Sequence, residues 1–124
     1  MRRILLVDDH EAVRKGIRSI IEGQYIVCAE ASNGKEGVER VIELKPDLVV
    51  LDISMPTMGG FEAARRIRSV TPATKILMLS LDSSPQVEKD AKAAGADAFV
   101  AKGASVSTLL ATVEQLLATA TNNT

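Results

Sequence analysis

A chain of 124 residues has the size of one domain, which argues against a two-domain enzyme with an interdomain cleft. Its 46% hydrophobic and 25% charged residues are a globular profile, neither disordered nor membrane-embedded. Fifteen Lys and Arg against sixteen Asp and Glu leave a net charge of −1, and Tyr25, Phe61 and Phe99 form no base-stacking set, so neither nucleic acid nor an anionic membrane is an expected partner.

From the N-terminus, Met1-Arg2-Arg3 is followed by the apolar run Ile4-Leu5-Leu6-Val7. Asp8-Asp9 stops that run at once, too early for an export signal. Cys28 is the single cysteine, so no internal disulfide can form and a reducing cytoplasm is the expected location. Four more short apolar blocks follow: Ile26-Val27-Cys28-Ala29, Leu48-Val49-Val50-Leu51, Ile76-Leu77-Met78-Leu79 and Ala98-Phe99-Val100-Ala101. None alternates polar with apolar, the pattern of strands buried on both faces.

The intervening stretches carry helical stripes: Val13, Ile17, Ile20 and Ile21, then Val38, Val41 and Ile42, then Phe61, Ala64 and Ile67. The fourth, Val87, Ala91 and Ala94, is thin and predicts the least firmly packed helix. The fifth, Val106, Leu109, Leu110, Val113, Leu116 and Leu117, is the strongest. Gly23, Pro46, Pro72 and Gly95 punctuate the ends of the first four helices. Five βα units predict a doubly wound α/β sandwich, a five-stranded parallel sheet with helices on both faces. The order 2-1-3-4-5 of the flavodoxin-like fold is favoured over the Rossmann order, because no Gly-x-Gly-x-x-Gly follows the first strand. The domain is expected over 1–120, with a polar tail at 121–124.

In such a sheet ligands bind beyond the carboxyl ends of the strands, where the strand order reverses. Strand one ends in Asp8-Asp9, strand three in Asp52, strand four in Ser80 and strand five in Ala101-Lys102. The order 2-1-3-4-5 brings Asp8, Asp9 and Asp52 together, and crowded carboxylates call for a cation or shifted pKa values. Hard oxygen donors in an open crevice suit Mg²⁺, and no Cys or His cluster points to zinc. With Lys102 as a fixed cation and Ser80 as a hydroxyl donor, the pocket suits a dianionic phosphoryl group, and Asp52 is the expected nucleophile.

Taken one at a time these residues have plainer readings. An Asp after a strand often caps a helix, Ser80 can start a turn, and a lysine can simply be solvated. Their joint occurrence at the strand ends outweighs those readings. His10 reads as the partly exposed first residue of helix one and not as a ligand, and Cys28 as a small core hydrophobe. Arg65-Arg66 and Arg68 read as a solvated face, and Met55, Met58 and Met78 as packing.

Val7-Asp8-Asp9-His10, Ala31-Ser32-Asn33-Gly34, the run Pro46 to Pro56 around Asp52, Leu79-Ser80, and the run Gly95 to Lys102 together resemble the receiver domains of two-component response regulators. Asp-Asp-His and Lys-Gly are similar to the subgroup that precedes LuxR-type helix-turn-helix domains. The resemblance implies a signalling switch in which Asp52 accepts a phosphoryl group from a sensor histidine kinase in a Mg²⁺-dependent reaction. It implies that Asp9, Asp52 and the Ser54 carbonyl bind the metal, with Asp8 acting through water. It further implies that Lys102 pairs with the phosphoryl group, Ser80 hydrogen-bonds it, and Phe99 is the switch aromatic. The chain would catalyse only its own phosphorylation and dephosphorylation. Its helix 4, strand 5 and helix 5 face would control an effector domain or partner protein, transcription regulation being the expected output, with homodimerisation on phosphorylation. Gly103 stands where the family often has proline, Ala98 where glycine is common, and bulky Leu81 follows Ser80.

Two other classes compete. A haloacid-dehalogenase-like phosphatase would need a second Asp two residues after the nucleophile, where this chain has Ser54. A degenerate receiver used only for protein interaction would lack one of the five key residues, and all five are present.

Overall fold

The computed structural model describes residues 1–121. Ten elements alternate: β1 (Arg3–Val7), α1 (Glu11–Ile21), β2 (Ile26–Ala31), α2 (Gly34–Leu44), β3 (Leu48–Asp52), α3 (Gly60–Val70), β4 (Lys75–Ser80), α4 (Pro85–Ala93), β5 (Ala98–Ala101) and α5 (Val106–Thr121). All strand pairs are parallel and the sheet order is β2-β1-β3-β4-β5, as the βα alternation predicts. Of the expected polar tail only Thr121, the end of α5, lies among the described residues. Among those residues no helix is long and apolar enough to cross a membrane.

Side chains alternate across a strand, so each central strand feeds two cores. Ile4, Leu6, Leu48, Val50, Leu77 and Leu79 point to one face, where they meet Ile17 and Ile21 of α1 and Leu109, Val113 and Leu117 of α5. Leu5, Val7, Val49, Leu51, Ile76 and Met78 point to the other, against Val38, Val41, Ala63, Ala64, Ile67 and Ala91 of α2, α3 and α4. Each fully buried large aliphatic side chain contributes roughly 1.5–3 kcal/mol, enough for a two-sided core to hold the strand ends in fixed register.

The sequence expectations fail at the margins of these cores. Strand β2 has the apolar run of a doubly buried strand but is an edge strand; Ile26 is exposed and Val27 to Glu30 only partly covered. Cys28 is accordingly half-buried at the border of the core, where burial raises its thiol pKa. Ile42 is 50% and Val106 54% exposed, although the helical spacing placed both on the apolar stripes. Arg68 is not part of a solvated face: it bonds the Gly95 and Pro72 carbonyls and the Asp97 carboxylate, tying α3 to the loops that lead into β4 and β5. Arg65 and Arg66 are exposed as expected, Arg66 pairing with Glu62.

Two glycines are required by close approach. A Cβ on Gly37 would lie 3.0 Å from both Val7 Cγ atoms, so a residue that costs helix propensity lets α2 settle on β1. A Cβ on Gly60 would lie 2.3 Å from the Asp52 carbonyl oxygen. The Gly60 N–H instead bonds the Ile53 carbonyl at 2.7 Å, folding the segment after Asp52 tightly back to the start of α3.

Candidate phosphoacceptor and metal site

Strand register assembles the site. Val7 pairs with Leu51, so Asp8 and Asp52, each one residue further on, emerge at the same level of adjacent strands. Asp52 pairs with Leu79 and Ser80 with Ala101, which sets Ser80 one residue and Lys102 two residues beyond that level, at the same end of the sheet. The Lys102 N–H bonds the Ser80 carbonyl at 2.9 Å, extending the β4–β5 pairing to the lysine itself. Asp9, Asp52, Ser54, Ser80 and Lys102 line one cleft of about 340 Å³, together with His10, Leu81 and Asp82.

Lys102 Nζ reaches between two buried carboxylates, 3.0 Å from Asp8 Oδ2 and 3.3 Å from Asp52 Oδ1. The approach to Asp8 Oδ2 lacks hydrogen-bond geometry, and Asp52 Oδ2 has no hydrogen-bond partner, so two buried carboxylate oxygens remain unsatisfied. Asp8 Oδ1 is occupied, accepting the His10 N–H at 2.9 Å, and Asp52 Oδ1 accepts the Ser54 N–H at 3.4 Å. Three carboxylates against one ammonium leave two negative charges uncompensated at the crevice.

The electrostatics follow. Burial, then the Asp8 carboxylate beside it, push Asp52 above the ordinary carboxylate pKa, and Lys102 and the Ser54 N–H only partly offset them. Burial works against the charge on Lys102, but its contact with Asp8 and the charges of Asp52 and Asp8 outweigh that and hold the lysine above its ordinary value. Ser80 Oγ accepts the Asp82 N–H at 3.0 Å, which leaves its hydroxyl hydrogen free to donate.

The donor set, hard oxygens with an excess of two charges and orphaned buried atoms, fits a divalent cation such as Mg²⁺. Residues 4–114 match the response regulator receiver domain family. The chain belongs to the response regulator receiver domains.

Its relatives span two architectures. The receiver is 40% identical over 102 residues to the chemotaxis protein CheY of Thermotoga maritima, covering 82% of this chain and 85% of that one. It is 41% identical over 107 residues to the response regulator UvrY of Escherichia coli K12, covering 85% of this chain but 49% of UvrY, so the chain spans about half the length of that relative. A crystal structure of a LuxR-family two-component response regulator from Aurantimonas sp. SI85-9A1 superposes with a TM-score of 0.90 at 38% identity, covering 95% of this chain and 86% of that one.

Three positions in the receiver carry detail beyond the sequence. His10 is the N-cap residue of α1, one position before the helix, and its side chain makes no cap hydrogen bond. Instead its Nδ1 faces Asp8 Oδ1 at 3.2 Å and Asp9 Oδ1 at 3.1 Å, bringing it into a cluster from which the sequence reading had left it out. Leu81, 84% exposed, stands at the cleft mouth with its side chain in solvent. Phe99 pairs in register with Met78 and is half-buried against the core on the α2, α3 and α4 side. The half-buried position of Arg14 has no sequence signal. Its Nη1 donates to the Asp8 carbonyl at 2.6 Å, bracing the β1–α1 turn from α1.

Proposed function

We propose that Asp52 of this receiver is the phosphoacceptor, taking the phosphoryl group of a sensor kinase phosphohistidine. The supporting observation is a buried carboxylate with one orphaned oxygen, Oδ2, on a residue of the cleft that Lys102 and Ser80 also line. The Asp52 oxygen attacks phosphorus as the P–N bond of the donor breaks and its electron pair leaves with the imidazole. Asp8, Asp9 and Asp52, with the Ser54 carbonyl, are the residues that would hold Mg²⁺, and the cation when bound supplies charge neutralisation to the phosphoryl oxygens. Lys102 pairs with the transferred group and Ser80 donates its free hydroxyl hydrogen to it.

A phosphoryl group adds about −1.5 to −2 charge beside Lys102 and Ser80. Helix α4 buries one residue, Ala91, within its span, so it is the element that yields most readily when the β4–α4 loop closes on that charge. Movement of Ser80 opens space for Phe99, and the α4, β5 and α5 face then engages an effector, with transcription regulation as the output and a homodimer as one arrangement of the active form. The chain catalyses only its own phosphorylation and dephosphorylation, in the cytoplasm. One hydrogen bond to a charged group supplies about 1.5–3 kcal/mol, short of the roughly 5.5 kcal/mol needed to invert a 1:99 equilibrium, so Ser80 cannot act alone.

Intact-mass measurement with acetyl phosphate and Mg²⁺ is expected to show one added phosphoryl group, absent in Asp52→Asn. A phosphorylated Asp52→Asn would overturn the assignment. Ser80→Ala is expected to accept the group but to shift the α4 and β5 amide resonances only partly with beryllofluoride, and a full response would remove Ser80 from the switch.

A further inference from the structure

His10 is the only histidine in the chain, and its imidazole is not used to cap the helix it precedes. Its Nδ1 lies 3.1 Å from Asp9 Oδ1 and 3.2 Å from Asp8 Oδ1, and without a cation it hydrogen-bonds the Asp8 carboxylate with the proton on Nδ1. Two ligands bound at about 2.1 Å and at right angles around one cation stand about 3.0 Å apart, so these separations are those of neighbouring corners of a coordination shell. One atom from each of Asp8, Asp9, His10 and Asp52 lies within 4.8 Å of every other. Independently, the Asp52 side chain, 3% exposed, leaves Oδ2 without a partner in the same cleft.

A purely carboxylate site suits Mg²⁺, whereas an imidazole nitrogen raises affinity for late first-row metals much more than for Mg²⁺. We propose that His10 Nδ1 is a further metal ligand of this receiver and gives its acidic site a preference for Zn²⁺ or Co²⁺ over Mg²⁺. The inference rests on the metal site described above but extends it to a residue outside the carboxylate set. Coordination would take the Nδ1 lone pair, so the hydrogen bond to Asp8 is given up and the ring proton passes through solvent to Nε2 on the exposed imidazole. The same cation would screen His10 from neither aspartate but draw all three groups to one centre.

The test uses the untagged full chain with ¹⁵N-labelled histidine, titrated at pH 8 with Zn²⁺ alone and with Mg²⁺ alone. Zn²⁺ is expected to move the single Nδ1 resonance strongly and Mg²⁺ to leave it nearly in place. His10→Asn keeps a residue favoured at an N-cap, so the helix start is preserved. By calorimetry it is expected to lower Zn²⁺ affinity at least about tenfold more than Mg²⁺ affinity, while Asp9→Asn lowers both. A Cys28→Ser background excludes the thiol as the zinc ligand. An unmoved Nδ1 at saturating Zn²⁺, or equal losses for both metals in His10→Asn, would overturn the role of His10 while leaving Mg²⁺-dependent phosphorylation of Asp52 standing. A wild-type chain that bound neither cation would overturn both readings.

Discussion

Two carboxylate-bearing regions of this receiver face opposite electrostatic fates. At the carboxyl ends of the strands, Asp8 and Asp52 share one ammonium, and Asp52 is pushed above the usual carboxylate pKa. On the edge strand β2, Glu30 is clasped by two arginines: Arg14 Nε bonds Oε1 at 2.8 Å and Arg18 Nε bonds Oε2 at 2.9 Å. Partial burial of Glu30 works against its charge, yet those hydrogen bonds and the charges behind them prevail, and its pKa falls below the ordinary value. The difference is one of stoichiometry. Glu30 has more cation than it needs, whereas the site has too little, and that shortage makes it receptive to a metal ion. Arg14 joins the two regions, since it holds Glu30 with one nitrogen and the Asp8 carbonyl with another.

The sharpest break of this contrast is Lys102→Ala, which leaves both buried carboxylates with no cation. Removing one partner of a buried ion pair costs about 3 kcal/mol or more, a loss that urea unfolding at pH 7 would read. Added Mg²⁺ is expected to restore part of it. A change under 1 kcal/mol would mean that water already compensates the pair.

Next in size is Asp52→Asn, which is expected to stabilise the fold at neutral pH by roughly 1 kcal/mol, the scale of one unsatisfied buried polar atom. Because the folded pKa of Asp52 is raised, the folded state holds its proton more tightly than the unfolded chain. Stability is therefore lost as pH rises through the folded value, and the advantage of Asn should vanish on acidification below the ordinary carboxylate range. An advantage independent of pH would show that charge is not its cause.

Glu30→Gln should have the opposite sign and the smallest size, about 0.5–1 kcal/mol of lost stability at pH 7, as for partly exposed pairs. Its lowered pKa means that the contribution is present above the unfolded carboxylate value and is lost as pH falls through the folded one. Thermal unfolding at pH 7 and pH 3 would compare the two variants, and matching pH trends would erase the contrast.

The parts of this arrangement carried by strand periodicity were legible in the sequence. Five apolar blocks between helical stripes imply the sheet order, and the order implies that Asp8, Asp52, Ser80 and Lys102 share one end. What the pattern does not carry is how far an edge strand is left uncovered. Ile26 to Ala29 has the same apolar character as the central Leu48 to Leu51, yet β2 has one neighbour and β3 has two. Gly37 reads as a blemish in a helix, because its reason, the Val7 side chain, lies 30 residues away in sequence. His10 was set apart from the carboxylates because a single histidine has no spacing signal. Only the turn from Val7 to Glu11, with the His10 N–H on Asp8 Oδ1, brings its ring back over Asp8 and Asp9.

The arginine clasp also bears on how the sheet ends. Strand β5 is four residues long and offers little to pair with, but β2 has six residues and an exposed Ile26. A long apolar edge is a template for strands from other molecules, and natural proteins blunt such edges with charge. Glu30, held by Arg14 and Arg18, places that charge toward the site end of the edge and fixes it there. A strand from a second chain adding along β2 would have to pair beside a carboxylate already engaged by two arginines from α1. The clasp thus sets a fixed charged group on the edge strand, apart from what it adds to the stability of the folded chain.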